Sequence, residues 1–243
     1  KWATIKHKKG ATDAKRAKVF AKLIRQVEVA AREGGADPEM NPALRTMFQK
    51  ARDQSVPLDT IEKAIKRGAG QLEGVAYESI TYEGYASGGV ALLVDVLTDN
   101  RNRSGSDVRS VFTKRGGSVA EPGAVAWQFD RKGTMLVDGS VAEDDLMLAA
   151  IDAGAEDITR EGDYWRVTTG PTDLHAVRTA VEEAGYKVEE SDLTMVAQNL
   201  VTLDDKSAAK KVLDLVDALD DLDDVQAVHG NFDITDDVLA ELG

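Results

Sequence analysis

The hydrophobic pattern of this 243-residue chain changes period once, near Tyr77, and that change limits the fold more than any other feature. Before it, apolar residues recur at three- and four-residue steps, the spacing of one helix face. Ala17, Phe20, Ile24, Val27 and Ala31 predict a long helix over 13–33, stopped by Gly34-Gly35. Asn41-Pro42 reads as an N-cap and first-turn proline, followed by a stripe of Leu44, Met47, Phe48 and Ala51. Pro57 opens a third helix, with Ile61, Ala64 and Ile65 inward and Gly68 at its end. After Tyr77 the alternation belongs to strands. Ile80 and Tyr82 alternate with polar neighbours, Ala86-Ser87-Gly88-Gly89 is a turn, and 90–97 is a strand apolar on both faces. Residues 102–115 read as a helix, and Val125, Trp127 and Phe129 as one side of a strand, interrupted at Lys132-Gly133.

Residues 131–203 then follow a regular grammar. A strand at 134–138 leads to a helix at 143–153, strands at 155–159 and 163–169, a helix at 172–184 and strand material from 186 to 203. This is the β-α-β-β-α-β order of a ferredoxin-like domain. A helix at 206–219 and a strand at 225–232 complete a second such set begun at 90–130. The expected fold class is therefore α+β with three domains. An N-terminal three-helix domain (1–77) precedes a discontinuous α/β domain (78–130 and 204–243), into which a ferredoxin-like α/β domain (131–203) is inserted.

Charge is divided between these regions. The net charge is −13. Residues 1–70 hold 16 Lys and Arg against 8 Asp and Glu, whereas residues 71–243 hold 14 against 35. The imbalance is sharpest over residues 1–25, where nine basic residues face only Asp13. A basic module joined to an acidic body points to a polyanionic partner for the module. Other classes find little support. No apolar run approaches the length needed to cross a bilayer, and no leader opens the chain. The absence of Cys excludes a disulfide framework and thiol catalysis and fits a cytoplasmic location. His7, His175 and His229 stand apart with no metal-ligand spacing, and no P-loop, nucleophile elbow or dinucleotide fingerprint occurs. Neither a catalytic residue nor a metal or cofactor is expected.

Several stretches resemble the YebC family. They are the opening Lys1-Trp2-Ala3-Thr4-Ile5-Lys6-His7-Lys8-Lys9, then Ile61-Glu62-Lys63-Ala64-Ile65-Lys66-Arg67-Gly68, Tyr82-Glu83-Gly84-Tyr85, and Leu97-Thr98-Asp99-Asn100-Arg101-Asn102-Arg103 with Gly116-Gly117 behind it. The second half is similar by pattern only. The resemblance implies three domains, the first helical and the others α/β. It also implies a role in gene expression, because the family includes probable transcriptional regulators, quorum-sensing repressors and a mitochondrial translational activator of cytochrome c oxidase. The chain departs from the family at Ala86-Ser87-Gly88-Gly89, where Gly-Pro-Gly-Gly is common, and at Ser104, where Thr is common.

Three candidate nucleic-acid contacts follow. The first is an arm of Lys1, Trp2, Lys6, His7, Lys8 and Lys9, in which Lys meets phosphate and Trp stacks on a base. The second is the helical stripe Lys15, Lys18, Lys22 and Arg25, flanked by Arg16. The third is Arg101 and Arg103, where a strand feeds a helix N-terminus. Each has a plain alternative: a frayed terminus, a solvated helix face, or capping residues beside solvated arginines. Val125, Trp127 and Phe129 have the look of an RNA-stacking sheet, but the recognition-strand signature is missing and they are expected in the core. Asp214, Asp217, Asp220, Asp221, Asp223 and Asp224 read as a solvated helix end. The expected function is a non-enzymatic regulator that binds ribosomal RNA as a translation factor, with basic ribosomal proteins against its acidic body. DNA-bound transcriptional regulation is the first alternative; a ligand-sensing α/β protein or an acidic adaptor is the second.

Overall fold

The computed structural model describes residues 13–242, with side chains from Arg16 onward. Helices α1 (Asp13–Gly34), α2 (Pro42–Asp53) and α3 (Leu58–Gly68) enclose Leu23, Val27, Leu44, Ala51, Val56, Ile61 and Ala64. Buried Asn41 does more than cap. Its Oδ1 accepts the Leu44 N–H at 3.0 Å, while its Nδ2 donates to the Ala30 and Gly35 carbonyls, each at 2.8 Å. One side chain thus ties the end of α1 to the start of α2. Gly68 lets α3 close on α1, for a Cβ there would lie 2.2 Å from the Glu28 carbonyl oxygen.

The rest of the chain builds two four-stranded sheets. Their elements are β1 (Glu78–Tyr85), β2 (Ala91–Thr98), α4 (Arg101–Lys114), β3 (Ser118–Ala120), β4 (Phe129–Asp138), α5 (Glu143–Ile151), β5 (Ala155–Glu161), β6 (Tyr164–Thr169), α6 (Leu174–Glu183), β7 (Val188–Ala197), β8 (Val201–Leu203), α7 (Lys206–Asp220), β9 (Val225–Gly230), β10 (Phe232–Ile234) and α8 (Asp236–Leu242). One sheet has the order β5-β6-β4-β7, the ferredoxin-like arrangement. Its alternate residues Met135, Val137, Trp165 and Val167 pack on Leu146, Val177 and Val181 of the two helices.

The other sheet has the order β3-β1-β2-β9. Here β2 is apolar on both sides because both are covered. Leu92, Val94 and Val96 meet Val108, Phe112, Val212 and Leu215, whereas Ala91 and Leu93 meet Val125 and Phe129. The fold is thus mixed α+β, with a helical N-terminal region ahead of the sheets. The described chain forms two compact units. One contains the residues up to Gly74 together with Arg131–Thr194, the other Val75–Asp130 and the residues from Met195 on.

Two local expectations are corrected. Residues 126–128 form a 3-10 turn, not a strand, and the place that strand would have taken in the second sheet is filled by β1. The break expected at Lys132-Gly133 is absent, and β4 runs through it. Gly133 belongs inside the strand because a Cβ would lie 2.3 Å from Thr169 Oγ1. The pairing of β8 with β10 and the helix α8 are additions that the sequence pattern does not signal.

Candidate nucleic-acid interface

The α1 helix separates its apolar and basic residues. Leu23, Val27, Ala30 and Ala31 are buried. At about 100° per residue, the positions of Lys15, Lys18, Lys22 and Arg25 centre roughly 140° away from that stripe. Arg16 and Lys18 are exposed, and Lys22 and Arg25 half-buried. The arm Lys1, Trp2, Lys6, His7, Lys8 and Lys9, and the side chain of Lys15, lie outside the described residues.

Not every cation of the helical region faces outward. Glu28 is buried and accepts Arg67 Nε at 2.9 Å and Arg32 Nη2 at 3.4 Å. Arg67 therefore locks α3 to α1. Arg178 on α6 does the same between α2 and the inserted sheet. Its guanidinium grips Asp53 at 2.7 and 3.0 Å and also donates to Ser191 Oγ and Glu182. Its side chain is only 8% exposed, and that of Asp53 12%. Burial alone would favour loss of the Arg178 proton, but the Asp53 and Glu182 carboxylates outweigh it and keep the charge. Lys50 pairs with Asp192 beside this clamp.

At the start of α4 the two arginines diverge. Asn100 caps the helix, its Oδ1 accepting the Arg103 N–H at 3.0 Å. The Arg103 guanidinium donates to Asp99 and to Asp224, each at 2.7 Å. The same Asp224 carboxylate accepts from Ser104 Oγ at 2.6 Å and Thr98 Oγ1 at 3.0 Å. Burial would raise the Asp224 pKa, but Arg103 and these hydroxyls hold it below the usual carboxylate range; Arg103 is raised in return. Two carboxylates thus outweigh one guanidinium, which weakens an anion site at this point. Arg103 pins α4 to the start of β9, and Arg101 stays exposed. Asp224 likewise leaves the acidic run read as a solvated helix end. Its role was not visible in sequence, because its partners lie more than a hundred residues away.

The aromatic trio also divides. Val125 and Phe129 are buried as expected, but Trp127 is 68% exposed. The turn carrying it is set by buried Glu83, whose carboxylate accepts N–H groups from Gly123, Val125 and Ala126.

Among the described residues no His, Asp and Glu group is placed to hold a metal ion, and no helix is long and apolar enough to cross a membrane.

A family model described as the TACO1/YebC protein N-terminal domain matches residues 1–71, and one described as the TACO1/YebC second and third domain matches residues 77–232. A "probable transcriptional regulatory protein" of Halothermothrix orenii is 53% identical, over all of this chain and 97% of its own length. One of the same name from Rubrobacter xylanophilus is 55% identical over the same shares. The crystal structure of a conserved hypothetical protein from Aquifex aeolicus is 46% identical and superimposes with a TM-score of 0.87 over 97% of each chain. With its helical region and its paired sheets each matched in turn, the chain belongs to the TACO1/YebC family.

Proposed function

We propose that this protein is a non-enzymatic regulator of gene expression that binds structured RNA on the ribosome through its basic N-terminal region. The observation that carries this reading is the placement of Lys15, Lys18, Lys22 and Arg25 on the side of α1 away from its buried stripe. A face of this kind meets phosphates and orients the protein without reading bases. Lys1, Lys6, Lys8 and Lys9 add further positive charge ahead of it in the sequence. The acidic remainder is repelled by an isolated duplex but is attracted to basic ribosomal proteins. Native protein is expected to sediment with ribosomes in low salt and leave them in high salt. Cross-linking in cells that recovers duplex promoter DNA and no ribosomal RNA overturns the reading. That outcome would favour a second one, transcriptional regulation on DNA, which the names of the Halothermothrix and Rubrobacter relatives support.

A further inference from the structure

One helix of the inserted sheet turns apolar side chains outward. In α5, Leu146 and Ala150 are fully buried and join the core. Met147, Leu148 and Ile151 are instead 42%, 75% and 44% exposed. At about 100° per residue these three share one stripe, centred roughly 130° from the buried pair. The helix entry is tied down. Arg160 donates to the Gly139 carbonyl, and Trp165 Nε1 donates to the Val141 carbonyl at 2.9 Å. A fixed element therefore presents the stripe.

Every charge on this helix and its C-terminal cap is negative. Asp144 heads the stripe, three and four residues before Met147 and Leu148. Asp145 and Asp152 lie three residues before Leu148 and four after it, spacings that make neighbours on a helix surface. Glu143, Asp144, Asp145 and Asp152 are exposed, and none has an ion pair among the described residues. Arg160 and Lys187, which act on Asp138 before the entry loop, are engaged by the Gly139 and Gly162 carbonyls and by Glu189. The helix dipole accounts for the acids of the first turn. It does not account for Asp152, which stands at the C-terminal cap, where the dipole opposes a negative charge.

We infer that this face of α5 docks a basic amphipathic helix of a partner protein. The partner's apolar side chains cover Met147, Leu148 and Ile151, while its Lys and Arg meet Asp144, Asp145 and Asp152. Charge complementarity selects this occupant. These carboxylates repel a nucleic acid or an anionic lipid surface. A second copy of the chain would set the same aspartates against one another, since a two-fold contact pairs a patch with itself. The inference rests on the part of the proposed function that sets basic protein against the acidic body, and it names the place and the anchors.

The test titrates the full chain with two labelled Leu/Lys peptides of one composition. One carries Leu at i, i+3, i+4 and i+7, and the other is scrambled. The patterned peptide is expected to bind roughly tenfold more tightly, and Met147→Ala with Leu148→Ala to remove roughly that factor. The melting temperature of this variant holds, because both side chains are exposed and Ala suits a helix. Asp145→Asn with Asp152→Asn flattens the salt dependence of binding. Equal affinity for the two peptides, or unchanged affinity in the alanine pair, overturns the inference. In cells, a photo-cross-linker at position 148 is expected to trap a Lys- and Arg-rich segment of another protein with apolar residues on one helical face. Cross-links to RNA, to a second copy or to residues 1–9 of the same chain overturn it. If the peptide result fails while the native chain still sediments with ribosomes in low salt, the proposed function stands without this contact. If the peptide result holds and sedimentation fails, the contact stands and the ribosomal partner falls.

Discussion

The two sheets reach one arrangement by different chain orders. In the sheet of β4 to β7, all four strands follow one another without interruption. In the sheet of β1, β2, β3 and β9, the strand between β3 and β2 comes first in sequence, and the last strand arrives after β4 to β7 have been made. A sheet constrains which strands are neighbours and which face is apolar; it does not require that neighbours be consecutive. Periodicity therefore identifies β1, β2 and β9 here, places a strand at Trp127 where a turn lies, and misses the short β3.

The largest test of this comparison is in the core. Phe112 is fully buried against the second sheet, and Phe112→Ala is expected to cost about 4 kcal/mol. Hydrogen exchange should then quicken in β1, β2, β3 and β9 while β5 and β6 keep their protection. Equal loss in both sheets would mean they unfold as one block. Next is the clamp beside the first sheet. Arg178→Ala leaves the largely shielded Asp53 without its cation, with the Gln49 amide still donating to it, and is expected to cost about 3 kcal/mol in denaturant unfolding. Replacing both partners, Arg178→Met with Asp53→Leu, should recover most of it.

Glu83→Gln follows, at about 2 kcal/mol, and it carries a pH signature. Burial raises the Glu83 pKa, but three backbone N–H groups outweigh that and lower it below its ordinary value. Its stabilisation is therefore complete above the ordinary glutamate pKa and fades as pH falls through the lowered folded value. The variant's unfolding midpoint should lose that part of its acid dependence. The smallest effects separate two arginines. Arg103→Ala lowers the folding midpoint through Asp99 and Asp224, whereas Arg101→Ala leaves it unchanged and weakens RNA binding.

Helices and strands were legible because burial imposes its own spacing on Leu23, Val27 and Ala31, or on Met135 and Val137. The Asn41 cap was legible because its partners are local. What escaped reading depends on groups distant in sequence. Nothing near Asp224 signals Arg103, nothing near Asp53 signals Arg178, and nothing near Trp127 announces that Glu83 will bend its strand into a turn. The basic stripe of α1 was visible at once, since helical rotation alone puts Lys18 and Lys22 opposite Val27. The Arg101 and Arg103 pair looked symmetric in sequence; both are exposed, and only the structure shows that Arg103 is held by Asp99 and Asp224.

The pairing of β2 with β9 also has a consequence for synthesis. The outer edge of β2 leaves the ribosome more than a hundred residues ahead of the strand that closes it. At ordinary elongation rates that is a wait of roughly ten seconds. During that interval Leu92, Val94 and Val96 also lack α7, and an open apolar edge invites pairing with other chains. A nascent chain stalled before Val225 is therefore a natural client for a chaperone.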